Sequence, residues 1–287
     1  MRHLKRTFVS LFLSLCAFDA FYAGWTLWSR AEWAWIGLLA ATLPILYLSV
    51  GNLLLHHTAT TSRWLPLPSA TVALGTLAGL VPVLPGAGSG ALWISFGLLD
   101  TGYLVYLLWY SRFSPRTASR IRRGEALPDF TTRTLDGKTV TSRDLVGSPS
   151  LLVFFRGNWC PFCVAQVKEL ARAYRELHAR GVRVVLVSPQ AERHTASLAK
   201  QFDVPLEFWV DQDLSVARAL GLVDEKGLPL GMEALGYAQD TVLPTSILLD
   251  ERGIVFHDDQ TDSYRIRPEP ADYLAAFDAR DKTAVTA

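Results

Sequence analysis

Cysteine is scarce here, with three in 287 residues, too few for the disulfide framework of a small secreted domain. Charge is scarce in one half only. From Phe8 to Tyr110 the charged residues are Asp19, Arg30, Glu32, Arg63 and Asp100, whereas the later half carries nearly all the others. The net charge of +1 gives no surplus of one sign, which removes the case for a nucleic-acid surface. Metal ligands are short as well: Cys160 and Cys163 form one close pair, Cys16 lies far away in an apolar segment, and no His-rich partner motif accompanies them. No metal site and no bound cofactor is expected.

What is present divides the chain into an integral membrane segment and a soluble domain. Apolar runs cover about 8–28, 33–55, 65–84 and 91–110, the third broken by Pro82 and Pro85. The spacings around Ala17 to Ala23 make poor cleavage sites, so the first run reads as a retained span rather than a signal peptide. An all-α transmembrane bundle of about four helices is therefore expected over 1–111, with a basic juxtamembrane linker over 112–125 and an α/β domain over 126–280. Arg2, Lys5 and Arg6 precede the first run, Arg63 lies between the second and third, and five arginines fall between Arg112 and Arg123. Only Arg30 falls on the other side, so the positive-inside rule puts both termini, and the soluble domain, in the cytoplasm of a bacterial-type inner membrane. A third run that re-enters without crossing reverses that orientation.

Within the runs, Trp25, Trp28, Trp33 and Trp35 form an interfacial belt. Asp19 and Asp100 sit near the middle of their spans, where a charge is costly; they are either hydrogen-bonded helix contacts or a proton or quinone site coupled to the thiols. Cys16 reads as a packing residue, and His56-His57 as an interfacial pair. The linker arginines either lie against anionic lipid headgroups or belong to a solvated tether.

The chemistry concentrates in Arg156-Gly157-Asn158-Trp159-Cys160-Pro161-Phe162-Cys163. An apolar run, Leu151 to Phe155, precedes it, and a helix-period pattern, Val164, Val167, Leu170, Ala171, Tyr174 and Leu177, follows it. Strand, turn and helix put Cys160 at the first helical turn, where free amides and the helix dipole favour a thiolate. Pro161 suits the first helical position. A thiolate attacks and a thiol does not, so Cys160 is expected to attack and Cys163, one turn on, to resolve the mixed disulfide. Arg156 is either the cation that acidifies Cys160 or a solvated strand end. Elsewhere the pattern predicts a hairpin around Asp136-Gly137, strands near 182–188 and 206–210, helices near 192–202 and 214–220, an inserted loop over 221–240 near the site, a hairpin over 247–257, and a final helix over 269–279.

This order of elements, with Trp159-Cys160-Pro161-Phe162-Cys163 and Val242-Leu243-Pro244-Thr245, resembles the thioredoxin superfamily. Leu127-Pro128-Asp129-Phe130, Phe208-Trp209-Val210-Asp211 and Ala217-Arg218-Ala219-Leu220-Gly221 resemble its peroxiredoxin-like, alkyl hydroperoxide reductase/thiol-specific antioxidant branch. The resemblance implies a cis Pro244 packed opposite Cys160. Trp159 is expected either to shield the sulfurs and form a docking platform or simply to pack in the core, and backbone at Thr245 to be available to a partner strand. Val153 and Gly157 stand where typical peroxiredoxins carry Pro and Thr. The expectation is a membrane-anchored thiol-disulfide oxidoreductase that reduces protein disulfides or peroxides and is recycled by a cellular thiol reductant. The alternatives are a thiol peroxidase proper and a redox-sensing domain that regulates the membrane segment.

Overall fold

The computed structural model describes residues 2–55, 59–80 and 90–286. His56-His57, Pro82 and Pro85 lie outside them. Helix α1 (Arg2–Arg30) leads into α2 (Trp35–Leu46), whose Pro44 lacks an amide and which passes through a π turn at Tyr47–Gly51 into the short α3 (Asn52–Leu55). Next come α4 (Pro66–Leu80) and α5 (Gly90–Val105), the latter extended by a π turn over Tyr106–Tyr110.

Two helical stretches, His3–Arg30 and Gly90–Tyr110, are long and apolar enough to cross a membrane. Trp35–Gly51 and Pro66–Leu80 are apolar but shorter, so among the described residues two helices meet the length criterion rather than the four expected. The reason is geometric: the 15 residues of α4 rise about 22 Å, against a hydrocarbon core of roughly 30 Å. The four helices pack around Phe12, Cys16, Trp35, Leu38, Phe96 and Leu99, and α2 approaches α4 so closely that a Cβ on Gly37 would meet the Gly75 carbonyl oxygen at 2.3 Å.

The second half is a seven-stranded sheet in the order β2-β1-β5-β4-β3-β8-β9. Its strands are β1 (Thr131–Thr134), β2 (Thr139–Thr141), β3 (Ser150–Phe154), β4 (Arg183–Ser188), β5 (Glu207–Val210), β8 (Thr245–Leu249) and β9 (Val255–Asp259). Central strands β3, β4 and β5 are parallel, while β8 runs antiparallel to β3. Every residue of β3 is buried, because the period of two sends Leu151 and Val153 to one face and Leu152 and Phe154 to the other.

Helices α6 (Pro161–Ala179), α7 (Glu192–Ala199) and α9 (Pro270–Thr286) contribute to the first face, and α8 (Ser215–Leu220) packs on the second with Ile121 and Leu127. A two-stranded ribbon, β6 (Val223–Asp224) with β7 (Thr241–Val242), closes the insertion that the sequence leaves as loop.

The segment after α5 is not a free tether. Phe113 N–H donates to the Asp262 carbonyl, Arg120 N–H to that of Leu220 and Gly124 N–H to that of Val255, while the Arg123 guanidinium meets Asp258. On the bundle side, Arg265 is buried and donates to the Ser111 and Thr61 hydroxyls, and Arg63 pairs with Asp262. Leu230 N–H donates to the Arg6 carbonyl, so the start of α1, the residues just before α4 and the end of α5 all face the sheet domain.

Candidate active site

Strand β3 delivers the chain to a turn held from beneath. Asn158 N–H donates to Gln190 Oε1 at 2.9 Å, and its side-chain amide donates to the His194 carbonyl at 2.7 Å. Gly157 has a φ of +138°, and a Cβ there would lie 3.0 Å from the Trp159 indole nitrogen. Glycine meets both the dihedral and the space, and no hydroxyl occupies this position. The turn places Cys160 as the N-cap of α6 and Pro161 at its first position.

The two sulfurs converge to 2.8 Å as free thiols. Burial opposes ionisation of Cys163, but the Cys160 thiol beside it, the Arg267 guanidinium and the Arg156 backbone amide more than offset that, bringing it down to about 6. Cys160, buried and facing the resulting anion, moves up. Such a pair titrates as a unit: the first proton leaves easily and the second is retained. The reduced site thus carries one shared anion.

Arg156 and Arg267 act on it directly, and Arg116, Asp224 and Asp259 lie around those two. Arg156, 6% exposed, donates to Asp224 Oδ2 at 3.2 Å and to the Gly227 carbonyl at 2.5 Å, and lies 4.6 Å over the Trp159 ring. It is therefore a buried cation, not a solvated strand end. Arg267, 4% exposed, donates through Nη1 to the carbonyls of Ser263 and Ile266, while its Nε and Nη2 have no hydrogen-bond partner. Burial and the neighbouring Arg267 charge pull Arg116 down to about 10, partly countered by Asp259 and Asp224. Cations outnumber acids here, which favours the thiolate.

The structure departs from the expected site in four respects. The bond before Pro244 is trans, since no described peptide bond is cis. Backbone at Thr245 is committed to β3 opposite Phe154, so it is not free to receive a partner strand. Trp159 is 8% exposed and covered by Arg156, so it shields without offering a platform. Cys160 is 1% exposed, hardly more than the resolving cysteine. The roof consists of Tyr110, Phe113, Arg116 and Tyr264: Arg116 donates to the Thr245 hydroxyl and the Pro244 carbonyl, Phe113 lies 5.8 Å from Arg156, and Phe162 meets Tyr264 edge to face at 5.6 Å.

Asp19 and Asp100 find partners inside the bundle instead. Ser95 Oγ donates to Asp19 at 3.0 Å, and Thr76 Oγ1 to Asp100 at 3.0 Å. Arg116, Arg267, Asp224 and Gln190 escape a sequence reading because each joins the site, or a residue beside it, across a long chain separation. The alternation Arg265-Ile266-Arg267 before Pro268 was a local signal for the second of these.

Residues 123–257 match the AhpC/TSA family. The chain is similar to the thioredoxin-like protein YneN of Bacillus subtilis, 25% identical over 169 residues that cover 57% of this chain and 86% of that protein. It is also similar to the thiol-disulfide oxidoreductase ResA of Halalkalibacterium halodurans, 27% identical over 150 residues, covering 52% of this chain and 74% of that one. Among solved structures, a peroxiredoxin 6 of Arenicola marina superposes with a TM-score of 0.49 at 17% identity, over 57% of this chain and 75% of its own.

Proposed function

We propose, for a chain whose residues 123–257 form a peroxiredoxin-like domain of the thioredoxin superfamily, a membrane-anchored thiol-disulfide oxidoreductase working through Cys160 and Cys163. The carrying observation is the 2.8 Å separation of the two sulfurs at the start of α6, among buried guanidinium groups. In the reaction, the Cys160 thiolate attacks one sulfur of a substrate disulfide, forming a mixed disulfide and releasing the other sulfur as a thiolate. Cys163, as thiolate, then attacks Cys160 Sγ. The Cys160–Cys163 disulfide forms, the second substrate thiolate leaves, and two electrons have passed to the substrate, whose thiolates take up protons. A cellular thiol reductant reverses the change on the enzyme. The pair's single proton must sit on Cys163 for Cys160 to attack; once the mixed disulfide has formed, that proton passes to the released substrate thiolate, which leaves Cys163 as the attacking anion.

Disulfide exchange leads over peroxide reduction because Gly157 supplies no hydroxyl to orient a peroxide. Two crossings, by His3–Arg30 and Gly90–Tyr110, and a cytoplasmic redox domain are supported by the contacts at one end of the bundle: Lys5 donates to the Arg112 carbonyl, Thr61 N–H to the Arg265 carbonyl, and Ser111 accepts from Arg265. Lys5, Arg6 and Arg63 lie at that end and Arg30 at the other. The test is stopped-flow oxidation of the reduced chain: rapid loss of thiols with a protein disulfide and slow loss with hydroperoxide is expected. The reverse ranking makes it a peroxidase.

A further inference from the structure

Between the bundle and the sheet domain lies a cavity of about 420 Å³, opening beside Arg156. That volume falls in the range of small-molecule sites, about 300–1,000 Å³, and exceeds what a bare ion needs. Its walls are cationic: Lys5, Arg6, Arg112, Arg116, Arg156 and Lys226 outnumber Asp224 and Glu225. Glu233, which pairs with Arg6, does not remove the surplus. Arg116 spends its donors on neutral carbonyl and hydroxyl oxygens, and among the described residues no carboxylate pairs with Arg112.

Two guanidinium groups in this wall point to a missing acceptor. The Nε atoms of Arg156 and Arg6 are buried without a hydrogen-bond partner, on side chains only 6% and 10% exposed. A buried cationic donor without an acceptor is costly, and an oxyanion in the cavity relieves it. The location says what carries the anion. Lys5 and Arg6 open the stretch His3–Arg30, and Leu108 to Tyr110 close the stretch Gly90–Tyr110, so the cavity lies level with the ends of both helices able to cross a membrane. The Lys5 ammonium stands 5.3 Å over the Trp109 ring, a pairing suited to the headgroup layer.

We propose that this cavity holds a phosphate oxyanion, carried by an anionic lipid headgroup, against Arg156 and beside the thiol pair. The inference rests on the membrane and thiol readings above. A bound anion offsets part of the Arg156 charge felt at the sulfurs and fills the space beside them, so it lowers thiol reactivity. A half-unit rise in the pKa of the pair corresponds to a loss of about threefold in the thiolate population well below its midpoint.

The experiment uses the full reduced chain carrying Cys16→Ser, reconstituted into vesicles of phosphatidylcholine alone or mixed with phosphatidylglycerol, with iodoacetamide labelling of the pair as readout. At about pH 5, below the midpoint of the pair, labelling is expected to be about threefold slower in the mixed vesicles. The Lys5→Gln/Arg112→Gln variant, which leaves the thiols and their closest cations in place, reports the general effect of a negative surface, so the slowing must shrink in it. Native mass spectrometry is expected to retain phosphatidylglycerol on the parent and lose it from the variant. Inorganic phosphate that slows labelling in neutral vesicles, where phosphatidylglycerol has no effect, assigns the same site to soluble phosphate. Equal slowing in parent and variant, or equal retention of lipid, overturns the proposal. Thiols unlabelled in every vesicle overturn the thiol reading, and a chain that fails to float with vesicles overturns the membrane one.

Discussion

Arg116 Nη1 donates to the Thr245 hydroxyl at 2.9 Å, and its Nη2 to the Pro244 carbonyl at 2.8 Å. A residue from the segment that follows α5 thus occupies the acceptors at the entrance to β8. Substrate approaching Cys160 by this route must displace it.

Replacing that residue separates access from acidity. In Arg116→Ala the roof loses its anchor, so the plateau rate of thiol alkylation at high pH is expected to rise about threefold. The same loss of positive charge moves the midpoint of the profile upward. A pH series of iodoacetamide rates reads both; an unchanged plateau means Arg116 does not restrict entry.

Arg267 acts on both sulfurs from a buried position. Arg267→Gln should move the first ionisation of the pair up by about one unit, or tenfold less thiolate well below the midpoint, and Arg267→Lys should restore part of it. The measurement is thiolate absorbance against pH. Equal curves for all three chains would remove Arg267 from the site.

The buried pair of Arg156 with Asp224 is a stability prediction. Arg156→Met leaves a carboxylate facing a site without its cation, at a cost of about 3–5 kcal/mol, and Arg156→Met with Asp224→Asn recovers part of that. Thermal midpoints in detergent test the ordering.

Reduced and oxidised chains should respond differently to pH. The Cys163 thiol is brought down to about 6, against an unfolded cysteine of about 8.5. Between those values the folded chain binds fewer protons than the unfolded one, so its stability rises with pH and is lost as pH falls through about 6. The upward-shifted Cys160 acts in the opposite sense above about 8.5, where the folded chain retains a proton that the unfolded one releases. Thermal midpoints of the reduced form should therefore pass through a maximum that the disulfide form lacks.

Much of the sheet domain was legible because its signals are local. The uniformly apolar Leu151 to Phe155, Pro161 at the helix start and Asp136-Gly137 at the hairpin each carry their own instruction. The ribbon of Val223 against Val242 was not legible, since two-residue strands show no period. Nor was the roof: Arg116 reads as one cation in a basic tether until the chain places it against Thr245, 129 residues away. The apolar runs marked the helices of the bundle, but hydropathy does not register how Pro44 and the π turn at Tyr47–Gly51 divide the second.

The central claim, exchange through one attacking and one resolving sulfur, is tested most directly by trapping. Reduced Cys163→Ser and Cys160→Ser chains, each also carrying Cys16→Ser, are mixed with a protein disulfide and analysed by intact mass. A stable mixed disulfide on Cys160 in the Cys163→Ser chain, and little or none in the Cys160→Ser chain, is the predicted result. A mixed disulfide that accumulates only through Cys163, or none in either chain, would contradict it.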